Sequence, residues 1–307
     1  MVYELAKSDS RIFYIGSDLG TGTLNQFKNE IPDRFFMEGI SEANIIGMAA
    51  GLALEGKIPY VNTIAAFLTR RCFEQIVLNL CLQNTNVRLI GNGGGLVYAP
   101  LGPTHEAIED LAILRAVPNI TIIAPADATE MKRLMPQTVE YPGPIYIRLG
   151  KGGDPVVTPQ DKPFKIGKAI LVREGKDVLL ITTGITLKLA QEATEILTEE
   201  GISSTVLHIP TIKPLDREAI LEHISKVSVI VTVEEGVISG GLGSGVAEIL
   251  AEANFDTPKR FKRIGIPDVF PDKYGSQANL MLYYNISSEA IVQNVKQLLG
   301  IAVHRQE

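Results

Sequence analysis

The chain has no tryptophan, few aromatic residues of any kind (6%) and only two cysteines among its 307 residues. So sparse a supply of flat side chains argues against a broad platform on which successive bases could stack. Cys72 and Cys81 form no CxxC pair, and the opening stretch MVYELAKSDSR lacks the apolar core of a signal peptide. No run approaches the roughly 20 consecutive apolar residues of a membrane span. A reduced, cytoplasmic protein is therefore expected. Basic residues are scattered and the net charge is -6, so there is no electrostatic footprint for nucleic acid. Neither nucleic acid nor a membrane is expected as a partner, whereas small acidic or sugar substrates remain compatible with the composition. GxxxxGK[ST] does not occur.

What is present is abundant apolar side chain, 45% of the residues, enough for two α/β domains with a core each. Short β-branched runs (RIFYIG, IPYVNT, NVRLIG, ITIIAP, PIYIRL) alternate with helical patterns over Glu42–Leu54, 70–83 and 128–139. That alternation predicts a mostly parallel sheet flanked by helices. In GKGGDPVVTPQDKPFKIG, glycine, proline and charge replace the periodic apolar positions, which marks a linker. The alternation then restarts with DVLLITTG, SSTVLHI and VSVIVTVEE, and with helices over 187–199, from Asp216, over 245–253 and over Ser288–Leu299. Domains are expected at 1–150 and 167–307, joined by a linker at 151–166.

Two glycine clusters invite a dinucleotide reading. GTGTLN has asparagine in place of the third glycine of GxGxxG, and GGLGSG is out of register, so both read better as tight turns at strand ends. In GPTHEAIEDL, Thr104 can cap a following helix on which His105 and Glu109 would share a face, but HExxE is not a zinc motif. The stretch MEGISEANIIGMAAGLALEG predicts a helix opened by Ser41 as N-cap, with Glu42 in its first turn, where the helix dipole favours a carboxylate. Ala43, Gly47, Ala50 and Gly51 leave that helix a smooth face, and each internal glycine costs about 1 kcal/mol against alanine. A close inter-subunit or inter-domain contact is the natural reason for such a face.

Taken in order, FFMEGISEANIIGMAAGLALEGKIPYVNTIAAF, GPTHEAIEDLAILRAVPNITIIAPADATE, PIYIRLGKG, IPTIKPLD, TVEEGVISGGLGSGVAEILAE and GIPDVF resemble the C-terminal half of transketolases and, less closely, of 1-deoxyxylulose-5-phosphate synthases. The resemblance implies a pyrimidine-binding domain of a thiamine-diphosphate enzyme up to about residue 150, followed by a transketolase C-terminal domain. Glu42 matches the glutamate that hydrogen-bonds the cofactor's pyrimidine and helps generate its carbanion nucleophile. Ile40 matches the apolar prop beneath the bent cofactor, Phe67 the aromatic that stacks on the pyrimidine, and Asp18 an acid near the thiazolium. His105 matches a substrate-orienting residue beside the thiazolium carbon, and Arg148 a phosphate ligand.

The family's diphosphate-and-metal domain carries a GDG motif, and none occurs in this sequence. The resemblance thus implies a split transketolase, in which a separate N-terminal subunit bearing GDG holds the diphosphate through Mg²⁺, in a heterotetramer with two copies of each chain. Some family positions are altered: Leu101 replaces the acid before Gly-Pro-Thr-His, Gly93 replaces an upstream histidine, Ile64 replaces a pocket aromatic, and Gly236 follows Glu-Glu where many relatives have histidine. The family's N-terminal Thr-Arg segment is also missing. These departures lead to the expectation of an unusual sugar substrate. The alternatives are a subunit like 1-deoxyxylulose-5-phosphate synthase, a catalytically silent partner, or a dehydrogenase, the last disfavoured by the failed glycine patterns.

Overall fold

The computed structural model describes residues 1–17 and 22–301. Along the chain run the strands β1 (Ile12–Gly16), β2 (Phe35–Met37), β3 (Ile58–Ile64), β4 (Arg88–Asn92), β5 (Thr121–Ile123) and β6 (Ile145–Arg148). They are followed by β7 (Ile170–Arg173), β8 (Val178–Thr182), β9 (Ser204–His208), β10 (Thr211–Lys213), β11 (Val229–Val237) and β12 (Arg260–Ile266). Central strands such as β6, β8 and β9 are buried at every position. Helices cover both faces of a parallel sheet, so such strands bury successive side chains rather than alternate ones.

Two sheets result, in the orders β10-β5-β6-β4-β3-β1-β2 and β12-β11-β8-β9-β7. Pairing is parallel except at two edges, where β7 runs against β9 and β10 against β5. The β10 strand comes from the second half of the sequence but closes the edge of the first sheet, pairing Thr211 with Ile123. One continuous core joins the two halves: Ile45, Ile46 and Leu114 belong to the same cluster as Leu179, Ile181, Leu207 and Val246. The mostly parallel, helix-flanked architecture expected from the sequence is present in both halves.

Local structure departs from expectation where side chains redirect it. Ser41 does not cap the helix Glu42–Leu54; its hydroxyl donates instead to the Glu38 carbonyl at 2.9 Å. The helix expected over 70–83 is wound more widely, as π-type turns over Phe67–Arg71 and Ile76–Leu82 around a short α-helical turn, Phe73–Gln75. Such widened turns recur at functional sites, because they re-aim side chains that a regular helix would stack. The helix expected from residue 245 begins earlier, at Leu242, because the buried Glu234 carboxylate accepts from the Leu242 and Gly243 amides at 2.9 and 2.8 Å.

Candidate active site

The chain leaves β2 through Gly39, whose φ of +66° suits glycine, and enters the helix Glu42–Leu54 at its acid. Glu42 is 4% exposed, and its Oε2 accepts a hydrogen bond from Arg71 Nη1 at 3.1 Å. The Arg71 guanidinium in turn lies over the Phe67 ring, 3.9 Å from its centroid. Phe67 and Arg71 are the two ends of the widened turn after β3, four residues apart, which puts them on one side of it. On Phe67 packs the His105 imidazole, edge-on, with centroids 5.0 Å apart. Glu42, Phe67 and His105, distant in sequence, are thereby linked in one cluster.

The cluster faces outward. Ile40, two residues before the acid, is 75% exposed, and Leu101 is also exposed. Cavities lie elsewhere: one of about 650 Å³ beside Val172, Gln191 and Val206, one of about 400 Å³ beside Ile185, Leu189 and Met281, and one of about 260 Å³ beside Asn92, Pro125 and Gly150. Asp18, the acid matched to the thiazolium side, lies outside the described residues. Among the described residues no group of histidine, cysteine or carboxylates is placed to hold a metal ion, and no helix is long and apolar enough to cross a membrane.

The loop that carries His105 differs from the expected helix. Thr104 caps nothing; its hydroxyl pairs with His105 Nδ1 at 2.9 Å, and the helix begins only at Asp110. Glu109 is the residue before that helix and makes an ion pair with Arg70. Arg70 also donates to the Pro103 carbonyl at 3.1 Å and the Glu106 carbonyl at 2.6 Å. One guanidinium thus fixes both sides of the His105 turn. Arg70 and Arg71 were not singled out in the sequence, although the four-residue spacing of Arg71 from Phe67 was a usable signal.

Arg148 is buried. Its Nε pairs with Asp110 Oδ2 at 3.2 Å, and its Nη2 donates to the Ala107 and Glu235 carbonyls at 3.1 and 2.7 Å, with the residue 7% exposed. Asp110 also accepts from the Tyr146 hydroxyl at 2.6 Å. Burial pushes the Asp110 carboxyl up, and Arg148 draws it back down. Glu235, its carboxyl likewise raised by burial, accepts from the Leu96 amide and from Gln277, each at 2.8 Å. The glycine run before Leu96 follows from this packing: a Cβ on Gly94 would collide with the Arg148 side chain. Gly93, at φ +67°, lies so close to the Tyr98 ring that a Cβ there would collide with it.

Glu106, next to His105, is fully buried, and neither of its carboxylate oxygens has a hydrogen-bond partner. Burial pushes its carboxyl up to about 7, against a smaller opposing pull from Arg70. Because the folded state holds this proton more tightly than the unfolded state, the associated stability is complete below the ordinary carboxylate range and is lost as the pH rises through about 7. Between pH 5 and 8.5 the wild type is therefore expected to lose roughly 2 kcal/mol more than Glu106→Gln. Urea midpoints of the two proteins at both pH values check this, and parallel profiles would refute it.

The fold and the site together define a two-domain α/β protein that brings a buried acid, an aromatic ring and an imidazole together. Comparison with known proteins gives this class a family. Residues 1–153 match the model "Transketolase, pyrimidine binding domain" and residues 167–291 the model "Transketolase, C-terminal domain". The chain belongs to the transketolase family. It is 36% identical to the 6-deoxy-6-sulfo-D-fructose transketolase subunit SqwH of Clostridium sp. (strain MSTE9), over 91% of this chain and 88% of that one. It is also 36% identical to an apulose-4-phosphate transketolase subunit of Phocaeicola vulgatus, over 96% and 94% respectively. Among solved structures it superimposes on one described as "Split gene transketolase, inactive beta4 tetramer", with a TM-score of 0.89 and 36% identity, over 98% of this chain and 96% of that one.

Proposed function

We propose that this chain is the C-terminal subunit of a split, thiamine-diphosphate-dependent transketolase that moves a two-carbon ketol unit between sugars in the cytoplasm. In this reading residues 1–150 form the pyrimidine-binding domain, 151–166 the linker and 167–307 the C-terminal domain. A second subunit, bearing the GDG motif absent from this sequence, holds the diphosphate through Mg²⁺, and two copies of each chain assemble. The observation that carries the reading is the open cluster of Glu42, Phe67 and His105. It offers a buried acid beside an aromatic face and, among the described residues, no group placed to hold a metal ion, which is half of a cofactor site. The relatives named as transketolase subunits, each matched over nearly its whole length, support the same division of labour.

The residues present fit the pyrimidine end of the cofactor. A single planar group, the Arg71 guanidinium, touches the Phe67 ring and the Glu42 carboxylate at once, so a planar heterocycle in that position meets both. Bound thiamine diphosphate supplies the nucleophile that attacks the donor ketose. Glu42 would hydrogen-bond the ring nitrogen, and its burial would strengthen that bond. Phe67 would fix the plane of the ring, and the exposed Ile40 would pack against the cofactor. Thr104 engages Nδ1 of His105, which leaves Nε2 to orient and polarise a sugar hydroxyl or carbonyl. The two relatives named above are named for different sugars, a sulfonated fructose and an apulose phosphate.

The isolated chain is expected to show no ketol transfer and only weak binding of thiamine diphosphate. Adding the GDG-bearing subunit and Mg²⁺ restores both. Calorimetric titration of the chain with and without its partner checks this, and tight binding by the chain alone would overturn the division between subunits.

A further inference from the structure

We propose that Arg71 is a stand-in for the cofactor's aminopyrimidine ring, occupying its place in the free chain and swinging out when thiamine diphosphate binds. This rests on the reading that Glu42 and Phe67 receive the pyrimidine. A guanidinium is flat, stacks on aromatic faces and donates hydrogen bonds to carboxylates. Arg71 does both at once, 3.9 Å above the Phe67 ring and 3.1 Å from Glu42 Oε2. A stacked heterocycle sharing a proton with Glu42 needs the same ring face and the same oxygen. Two planar groups cannot share one face of one ring, so the two states exclude each other.

The chain has a physical reason to keep such a group. Glu42 is 4% exposed, and a carboxylate buried without a partner is strongly unfavourable. Arg71 satisfies the acid for as long as no cofactor is there to do so. Its neighbour cannot serve, because Arg70 is held by Glu109, the Pro103 carbonyl and the Glu106 carbonyl. The two adjacent arginines thus divide the work, one locked into the His105 turn and one free to move. Arg71's side chain is 48% exposed, so its head can leave for solvent by giving up only its contacts with Phe67 and Glu42. The latch is weak by construction, since half-exposed ion pairs and cation–π contacts are each small. It lowers the affinity for the pyrimidine end alone, and so makes tight cofactor binding depend on a second anchor for the diphosphate.

The test uses the assembled two-subunit complex with Mg²⁺, titrated calorimetrically with thiamine diphosphate. Arg71→Ala is expected to bind the cofactor roughly tenfold more tightly than the wild type. Arg71→Lys keeps the charge but not the flat face, and is expected to fall between them. A second readout does not involve activity: Arg71→Ala should lower the melting temperature of the isolated chain while leaving that of the cofactor-loaded complex unchanged. Unchanged or weaker binding by Arg71→Ala, or equal loss of melting temperature in both states, overturns the latch. If the wild-type complex binds no thiamine diphosphate, or Glu42→Ala binds it as well as the wild type does, the cofactor-site reading falls and the latch with it.

Discussion

Glu42→Gln in the assembled complex is expected to lower turnover by roughly 10²- to 10⁴-fold, the range spanned by removal of a general acid–base. The fold should survive. Glutamine has the same shape, the side chain is already enclosed, and the bond lost is one to the half-exposed Arg71, which is worth little. The amide can still hydrogen-bond a ring nitrogen but cannot exchange a proton with it. Activation of the cofactor should therefore slow, with binding nearly unchanged. Exchange of the thiazolium C2 proton with deuterium, followed by NMR in the loaded complex, isolates that step. Wild-type exchange rates in the variant, whatever its kcat, would sink the role given to Glu42.

Arg148→Met is expected to destabilise the protein by about 3–5 kcal/mol, the usual consequence of removing one partner from a buried ion pair. Its guanidinium neutralises Asp110, which is fully buried, and ties the Ala107 and Glu235 carbonyls together across the junction of the two halves. Without it Asp110 keeps only the Tyr146 hydroxyl and the Leu111 amide. Combining Arg148→Met with Asp110→Asn should recover much of the loss, because the uncompensated charge is then gone. Urea unfolding of the two variants measures both effects. The family resemblance casts Arg148 as a phosphate ligand, and that role predicts something different: a normally stable Arg148→Met protein whose kcat/KM falls only for phosphorylated sugars. Such a result would refute the brace.

The repeating architecture and the cluster around Glu42 were legible in the sequence because they rest on contiguous signals. Runs such as PIYIRL and DVLLITTG announce buried strands, and the blocks around Glu42, Phe67 and His105 lie in long stretches of family resemblance. What was not legible depends on contacts between distant residues. Nothing near Thr211 announces that it and Lys213 will pair with Ile123 and Ile122. The start of the helix at Leu242 depends on a glutamate eight residues upstream folding back onto it. Ser41 looked like a helix cap, but the Glu38 carbonyl was the better partner for its hydroxyl. Burial governs the remaining cases: neither the ion pair between Arg148 and Asp110 nor the unpartnered oxygens of Glu106 leave a sign in the sequence.

The crossing of β10 onto the first sheet has a consequence for synthesis. As the polypeptide leaves the ribosome, β5 is complete long before Thr211 to Lys213 emerge to cover its edge. At the usual rates of chain growth the delay is on the order of ten seconds. Throughout it the nascent first half exposes unpaired backbone groups, a template for association with other chains. A gene for this protein could not be divided in the segment after β6 without making that interval permanent.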